Sequence, residues 1–489
     1  MSFPLGELLR GLDARIEGDA TTEISGVAYH SRRVIPGVLF VALRGSHVDG
    51  HDFLGEAIGA GAAALLVEDR PTPRNVPAAV VRDTRAALAE VAARFYGNPG
   101  AALRLIGVTG TNGKTSTVRM IESILTRAGR RVGSSGTISV RLPGAEEPAE
   151  LTTPESLDLQ RTLARMREAG VEDVVLEVSS HSLAQGRIRP LRFAAAVCTN
   201  LSQDHLDYHG TMEAYAQAKA ELFGPVYLDG VAVVPAGPGI GDRLARQARE
   251  IGRRVVSFAR GSSSEGCYRT RDEQVGIEGS SFEVVTAEAR HTIRVPLPGD
   301  FQIDNALAAL ATTHVLGASW AAIREGLAGC PPIPGRLERV GRGDPVVLVD
   351  YAHTPDALER VLGRVRPLVS GRLITLFGCG GDRDRTKRVP MAEAACRHSD
   401  HVIATSDNPR GEPPEAILEE IRPGLSGSYE IIIERRDAIR QAIALAGKRD
   451  TVVIAGKGHE SYQLIGGQRR AFDDRVEARA ALQARGIPA

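Results

Sequence analysis

Apolar and polar positions along the chain fall into blocks separated by Pro/Gly-rich seams. In the first block the apolar runs "GVLFVAL" and "AAALLVE" are short and broken by Gly and Asp, which predicts strands and a helix of a small α/β unit ending at "YGNPGAAL". In the second, the run "LRLIGV" leads straight into a glycine-rich loop. "TSTVRMIESILTRAG" follows, with Val118, Ile121, Ile124 and Leu125 at helical spacing. Further strands are expected at "DVVLEVSS" and "FAAAVCTN", each ending in a polar loop, and the block closes near "GCPPIPGRLE". The third block alternates most clearly. Strands "PVVLVD", "RLITLFG", "HVIATSD", "EIIIE" and "TVVIAG" are separated by helices such as "PDALERVLGRV" and "AIRQAIALA".

Continuously apolar strands separated by helices predict a parallel, doubly wound sheet in this last block. Ligands of such sheets bind beyond the carboxyl ends of the strands. There stand the polar clusters "DYAHTPD", "GCGGDRDRTK", "SDNPRGE" and "GKGHES". The expected architecture is α/β in three domains: about 1–100, then 101–334 around the glycine loop, then a Rossmann-like 335–489.

Composition narrows the function classes. The chain has 489 residues with 60 basic and 60 acidic side chains, so no general pull towards nucleic acid or anionic membrane is expected. Aromatics make up only 4%, too few for base-stacking surfaces. The five cysteines are scattered without CxxC pairs, which fits a reducing compartment and speaks against a disulfide framework or a Cys-ligated zinc site. The N-terminal stretch lacks an apolar core like that of a signal peptide, and no run approaches the roughly 18 apolar residues of a membrane span. A cytoplasmic protein without membrane insertion is expected.

The loop "GVTGTNGKTST" carries the first chemistry. Gly110 and Gly113 let the backbone aim its amides at phosphates at a helix N-terminus. Lys114 can reach the β/γ-phosphates and the Thr115 hydroxyl can serve Mg²⁺. The standard motif would place its first glycine where Val108 stands, so the loop is read as a shortened triphosphate cradle.

Other positions stay ambiguous on residue type alone. Glu177, ending "DVVLE", is either a hard oxygen ligand for Mg²⁺ or a solvated rim residue. His205 follows a strand among Asp204, Asp207 and His209, and is either a ligand or structural. Lys219 in "AYAQAKAELF" reads as a solvated mid-helix lysine, although Ala216, Ala218 and Ala220 leave room around it. In the third block, Arg410 beside Asn408 suits recognition of a carboxylate and its α-substituents. Arg383 stands at the neighbouring strand end and Glu460 can accept from an ammonium group, so the set matches a zwitterion or, taken singly, surface ion pairs.

Taken in order, "GTNGKTS", "LTTPE", "EVSSHSLAQGR", "TNLSQDHLDYHG", "YAQAKAELF", "DYAHTPDAL", "GCGGDRDRTKR", "DNPRGE" and "GKGHESYQ" resemble the Mur ligases, ATP-dependent amino-acid ligases of the peptidoglycan peptide. The likeness covers nearly the whole chain, and members of this family share "GTNGKT" without the usual first glycine.

The resemblance implies a set of roles. Gly110, Thr111, Asn112, Gly113, Lys114, Thr115 and Ser116, with Asn305, Arg336 and Asp350, would contact ATP. Thr115, Glu177 and His205 would hold magnesium. Lys219 would be carbamylated and position a second metal, which makes Lys114, Lys219 and His205 the catalytic set. Ser31 would lie on the uridine side, with Thr152, Thr153, Ser179, Gln185 and Arg187 on the sugar–peptide end.

"DNPR" resembles the signature of the branch that adds meso-diaminopimelate. Arg383, Asp407, Asn408, Pro409, Arg410, Gly456 and Glu460 would then form the amino-acid pocket. "YHSRR" and "LTTPE" depart from the commonest forms of their segments. The implied partners are UDP-MurNAc-L-Ala-D-Glu, meso-diaminopimelate and ATP, with Mg²⁺ as cofactor, acting on a monomer. An L-lysine-adding sister is disfavoured by Arg410, and a folylpolyglutamate synthetase by the uridine-side motifs. A GTPase-like switch is disfavoured by the lack of a guanine-reading NKxD segment.

Overall fold

A computed structural model describes residues 2–45, 48–68, 75–261 and 266–488. The chain divides into two compact units: Met1–Arg269 with Asn305–Gly326, and Thr270–Asp304 with Leu327–Ala489.

The first unit contains a small sheet in the order Arg15–Glu17, Ala78–Val80, Ala64–Val67, Val38–Val41, Gly26–Ala28. The first strand is antiparallel to its neighbour and the rest run parallel. Val38–Val41 and Ala64–Val67 are buried throughout, as their unbroken apolar runs require. The helix Thr84–Phe95 is N-capped by Asp83, whose carboxylate accepts from the amides of Arg85 and Ala86.

The larger sheet of this unit is built around Arg104–Thr109. Asp173–Glu177 and Phe193–Cys198 flank it in parallel, and Val132–Ser135 and Leu228–Pro235 lie beyond them. The helix Lys114–Arg127 follows the central strand and buries Val118, Met120, Ile121, Ile124 and Leu125 on one face. Because the three adjacent strands run the same way, Thr109, Glu177 and Cys198 all end at one edge. The loops that follow them, starting at Gly110, Val178 and Thr199, share that edge.

In the second unit the sheet order is Glu338–Val340, Val346–Asp350, Thr451–Ala455, Leu373–Phe377, His401–Thr405, Tyr429–Ile432. All five apolar strands read from the sequence are present and parallel. Glu338–Val340, which the sequence pattern does not single out, adds an antiparallel edge and makes the sheet mixed. It is short and only partly buried, so it carries little apolar signal. Helices Pro355–Val365, Arg388–His398 and Pro414–Ile421 share one core with the sheet, and Arg435–Leu445 and Asp474–Ala484 share the other.

Candidate functional site

The glycine loop is short because the strand before it is long. Val108 is fully buried and paired on both sides, with Glu177 and Val197, so the chain leaves the sheet only after Thr109. Gly110 and Gly113 have φ of +142° and +84°. A Cβ at Gly110 would collide with the Thr199 hydroxyl, and one at Gly113 with the Asn305 side chain. The neighbouring loop clamps this one. The Asn200 side-chain oxygen accepts from Asn112 N at 3.0 Å, and Thr199 Oγ1 donates to the Asn112 carbonyl at 2.6 Å. Gly110→Ala is therefore expected to abolish the rise in Tm that millimolar ATP gives the parent protein, measured by thermal denaturation.

Lys114 Nζ folds back onto the loop, donating to the carbonyls of Gly110 at 2.9 Å and Thr111 at 2.8 Å. Lys219 Nζ donates to the same Gly110 carbonyl at 2.8 Å. Lys219 lies in the last turn of the helix Met212–Ala220, not mid-helix, and is 1% exposed. Ala216, Ala218 and Ala220 around it are buried as well. Its ammonium also sits 4.6 Å from the Tyr215 ring centroid, and the Tyr215 hydroxyl is 3.1 Å from Thr111 Oγ1. Burial, reinforced by the positive charge of Lys114, lowers the Lys219 pKa to about 7. A solvated lysine would show none of this.

Glu177 is not a rim residue either. It is 2% exposed, and its carboxylate accepts from Thr137 N at 3.0 Å and Thr137 Oγ1 at 2.9 Å. His205 has φ of +52° and sits with its ring centroid 4.8 Å from that of His181. Burial and the charges of His205 and His209 lower the His181 pKa. Among the described residues no group of three or more His, Cys, Asp and Glu could hold a metal ion. The donors present nevertheless fit magnesium, which keeps several waters and relies on phosphate oxygens plus one or two protein oxygens. The Thr115 hydroxyl at the helix start and the Glu177 carboxylate would supply these. Unmodified Lys219 donates and so holds no metal.

The residues expected on the sugar–peptide end come together. Thr153 Oγ1 donates to the Glu177 carbonyl at 2.8 Å and accepts from Ser179 N at 3.1 Å. Arg187 donates to Gln185 Oε1 at 2.8 Å and to the Thr153 carbonyl at 3.1 Å, while Thr152 Oγ1 lies 3.1 Å from Thr137 Oγ1. Glu155, which the sequence reading did not single out, pairs with Arg187 at 2.9 Å and also with Arg85. A cavity of about 390 Å³ adjoins this set, lined by Arg44, Glu68, Arg85, Gln185, Arg189 and Glu221 among others. Ser31 is buried at the start of a short 3₁₀ turn, and no hydrogen bond links it to this set.

In the second unit, Asp350 is buried with each oxygen accepting a backbone amide at 2.8 Å, from Leu337 and from Ala352. Burial raises its pKa, opposed by Arg336 and those amides. The Arg336 guanidinium lies 5.0 Å from the Tyr351 ring centroid.

The strand-end loops gather the residues expected to read an amino acid. Arg410 has φ of +54°, and Nη1 of its guanidinium donates to the Gly381 carbonyl at 2.9 Å. Its backbone is pinned by Leu464 and Gly466. Arg383 is exposed with no partner among the described residues. Asn408 is 3% exposed and donates to Glu460 at 2.8 Å. A Cβ at Gly456 would come 2.6 Å from the Asp407 carboxylate, and the Asp407 and Pro409 carbonyls pack against Gln463 and Gly381.

Sequence reasoning missed two residues here. Lys457 is fully buried between Asn408 and Glu460, and "GKGHE" already displays it. Arg435 has no motif to announce it. It forms a wholly buried ion pair with Asp474 and donates to the Ala455 carbonyl at 3.0 Å, bracing the strand end before Gly456.

Three family models match the chain: "Mur ligase family, catalytic domain" over 23–96, "Mur ligase middle domain" over 108–313, and "Mur ligase, glutamate ligase domain" over 335–458. A UDP-N-acetylmuramoyl-L-alanyl-D-glutamate–2,6-diaminopimelate ligase of Gloeobacter violaceus is 46% identical over 489 residues, covering 98% of each chain. One of the same name from Synechococcus elongatus is 45% identical over 94% of each. Among solved structures, one of that name matches with a TM-score of 0.73 and 35% identity, over 99% of this chain and 100% of the other.

Proposed function

The chain belongs to the Mur ligase family, and on that premise we propose how its residues join meso-2,6-diaminopimelate to the D-glutamyl carboxylate of UDP-N-acetylmuramoyl-L-alanyl-D-glutamate at the expense of ATP. The observation that carries the amino-acid assignment is the "DNPR" turn. It holds Arg410 in a left-handed backbone conformation, with one guanidinium nitrogen tethered to Gly381 and the remaining donors available for a carboxylate. Domain boundaries near 100 and 334 suit this division of labour: uridine end, phosphoryl transfer, amino acid.

Hydroxide is too poor a leaving group for direct amide formation from a carboxylate. The D-glutamyl oxygen attacks the γ-phosphorus, and ADP departs, giving an acyl phosphate. The uncharged amine of diaminopimelate then attacks the acyl carbon. The tetrahedral intermediate collapses to the amide as inorganic phosphate leaves, and the amine loses a proton. The amides of Gly110–Ser116 and the Lys114 ammonium take up charge on the transferring phosphoryl group. The Thr115 hydroxyl and the Glu177 carboxylate would hold magnesium, with His205 as a further ligand, and the ion would supply additional charge neutralisation. Arg187, steadied by Glu155, Gln185 and the Thr153 carbonyl, holds the sugar–peptide carboxylate end in place.

Lys219 is suited to carbamylation. At neutral pH a large fraction is the free amine, which would add CO₂ with loss of a proton and leave a carbamate anion beside the loop. The acyl phosphate is testable directly. With ATP and the UDP-sugar dipeptide but no amino acid, hydroxylamine is expected to yield a hydroxamate. Its absence, with turnover intact, would rule out that intermediate.

A further inference from the structure

Among the groups that the reaction above leaves unused, one buried cation sits inside the amino-acid pocket. Lys457 follows Gly456 at the end of the strand Thr451–Ala455 and its side chain is 0% exposed. Its ammonium donates to Asn408 Oδ1 at 3.2 Å and to Glu460 Oε2 at 2.9 Å, and lies 5.5 Å from the Tyr462 ring centroid. Asn408 Nδ2 donates to that same Glu460 oxygen at 2.8 Å, closing a triangle. Leu464 N also donates to Asn408 Oδ1, at 3.0 Å.

This arrangement leaves one orientation for the Asn408 amide. An ammonium and a backbone N–H only donate, so the amide oxygen must face them and its nitrogen must face Glu460. It also changes what Glu460 offers. Oε2 already accepts from two donors, and the carboxylate's charge is balanced from within the protein. An amino-acid terminus carrying both a carboxylate and an ammonium brings its own balance: its carboxylate meets Arg410 and its ammonium meets the remaining Glu460 oxygen. A side chain ending in an ammonium alone would add an uncompensated cation to a pocket already holding Arg383, Arg410 and Lys457.

The geometry points to Lys457 as a positioning residue that sets the amino-acid specificity: it orients Asn408 and Glu460 and supplies the charge that excludes a terminus without a carboxylate. This rests on the assignment of Asn408, Arg410 and Glu460 to the amino-acid pocket.

The test measures steady-state phosphate release for Lys457→Met and Lys457→Gln, with meso-diaminopimelate and with L-lysine as acceptors. The Gln variant keeps polar contacts without the charge, so it reports even if the Met variant does not fold. Expected are a KM for meso-diaminopimelate raised at least tenfold, KM values for ATP and the UDP-sugar dipeptide within twofold of the parent, and a preference for diaminopimelate over lysine narrowed at least tenfold. A folded variant that keeps the parent preference within twofold overturns the inference, as does an equal loss against every substrate. Failure of the parent enzyme itself to use diaminopimelate would instead strike the functional reading on which the inference rests.

Discussion

Lys219→Met is expected to lower kcat by about a thousandfold, the scale seen when a charge-stabilising group is removed from a preorganised site. The variant should nevertheless be at least as stable as the parent at pH 7. Methionine fills nearly the same volume, and what is lost is a buried amine whose hydrogen bond to Gly110 is offset by the cost of burying its charge. Because the folded pKa, about 7, lies below the ordinary lysine value of 10.5, the unfolded chain binds more protons between those pH values. The destabilising contribution is fully present below pH 7 and is lost as pH rises towards 10.5. Urea denaturation at pH 7 and pH 9.5 should therefore show the parent gaining stability relative to Lys219→Met at the higher pH. Equal dependence on pH in both proteins would mean the amine is not buried as described. Loss of stability together with loss of activity would make Lys219 a structural residue.

The second large effect concerns Arg410. Its guanidinium is held on one side by the Gly381 carbonyl, and its backbone is fixed by hydrogen bonds with Leu464 and Gly466. The fork is thereby pre-aimed before the amino acid arrives. A charge-assisted pair with a carboxylate is worth about 1.5–3 kcal/mol, so Arg410→Ala is expected to raise the KM for meso-diaminopimelate on the order of 100-fold. The KM values for ATP and for the UDP-sugar dipeptide should stay within twofold. Arg410→Lys should recover little, because a point charge on a flexible stem does not reproduce a planar fork. A uniform fall in kcat with all KM values intact would mean that Arg410 supports the loop rather than binding the substrate.

Much of this was legible in the chain because the signals are local. The buried parallel strands are continuous apolar runs, and the loop after Thr109 carries its glycines where a side chain would strike Thr199 or Asn305. The antiparallel strand Glu338–Val340 escaped notice because an edge strand of three residues, of which only Val340 is buried, has little periodicity to read. The burial of Lys219 was equally hidden. The alanines on either side of it give no sign of burial, and the partner that matters, Gly110, is more than a hundred residues away in sequence. Lys457 and Arg435 were missed for a related reason. A charged residue reads as solvent-facing until its partners are known; Glu460 stands three residues from Lys457, but Asn408 and Asp474 are brought to Lys457 and Arg435 by tertiary structure alone. Glu177 could be read either way from its strand-end position, and only its hydrogen bonds to Thr137 separate the readings.

The central claim is that this chain couples ATP cleavage to the joining of the UDP-sugar dipeptide with diaminopimelate. It is tested most directly by phosphate release with ATP, Mg²⁺ and UDP-MurNAc-L-Ala-D-Glu, comparing meso-diaminopimelate with L-lysine. Release that requires the dipeptide and proceeds with meso-diaminopimelate, with lysine giving little or none, is the predicted result. Equal release with lysine would contradict the account of Arg410 and its pocket, and no release with either amino acid would contradict the ligase assignment itself.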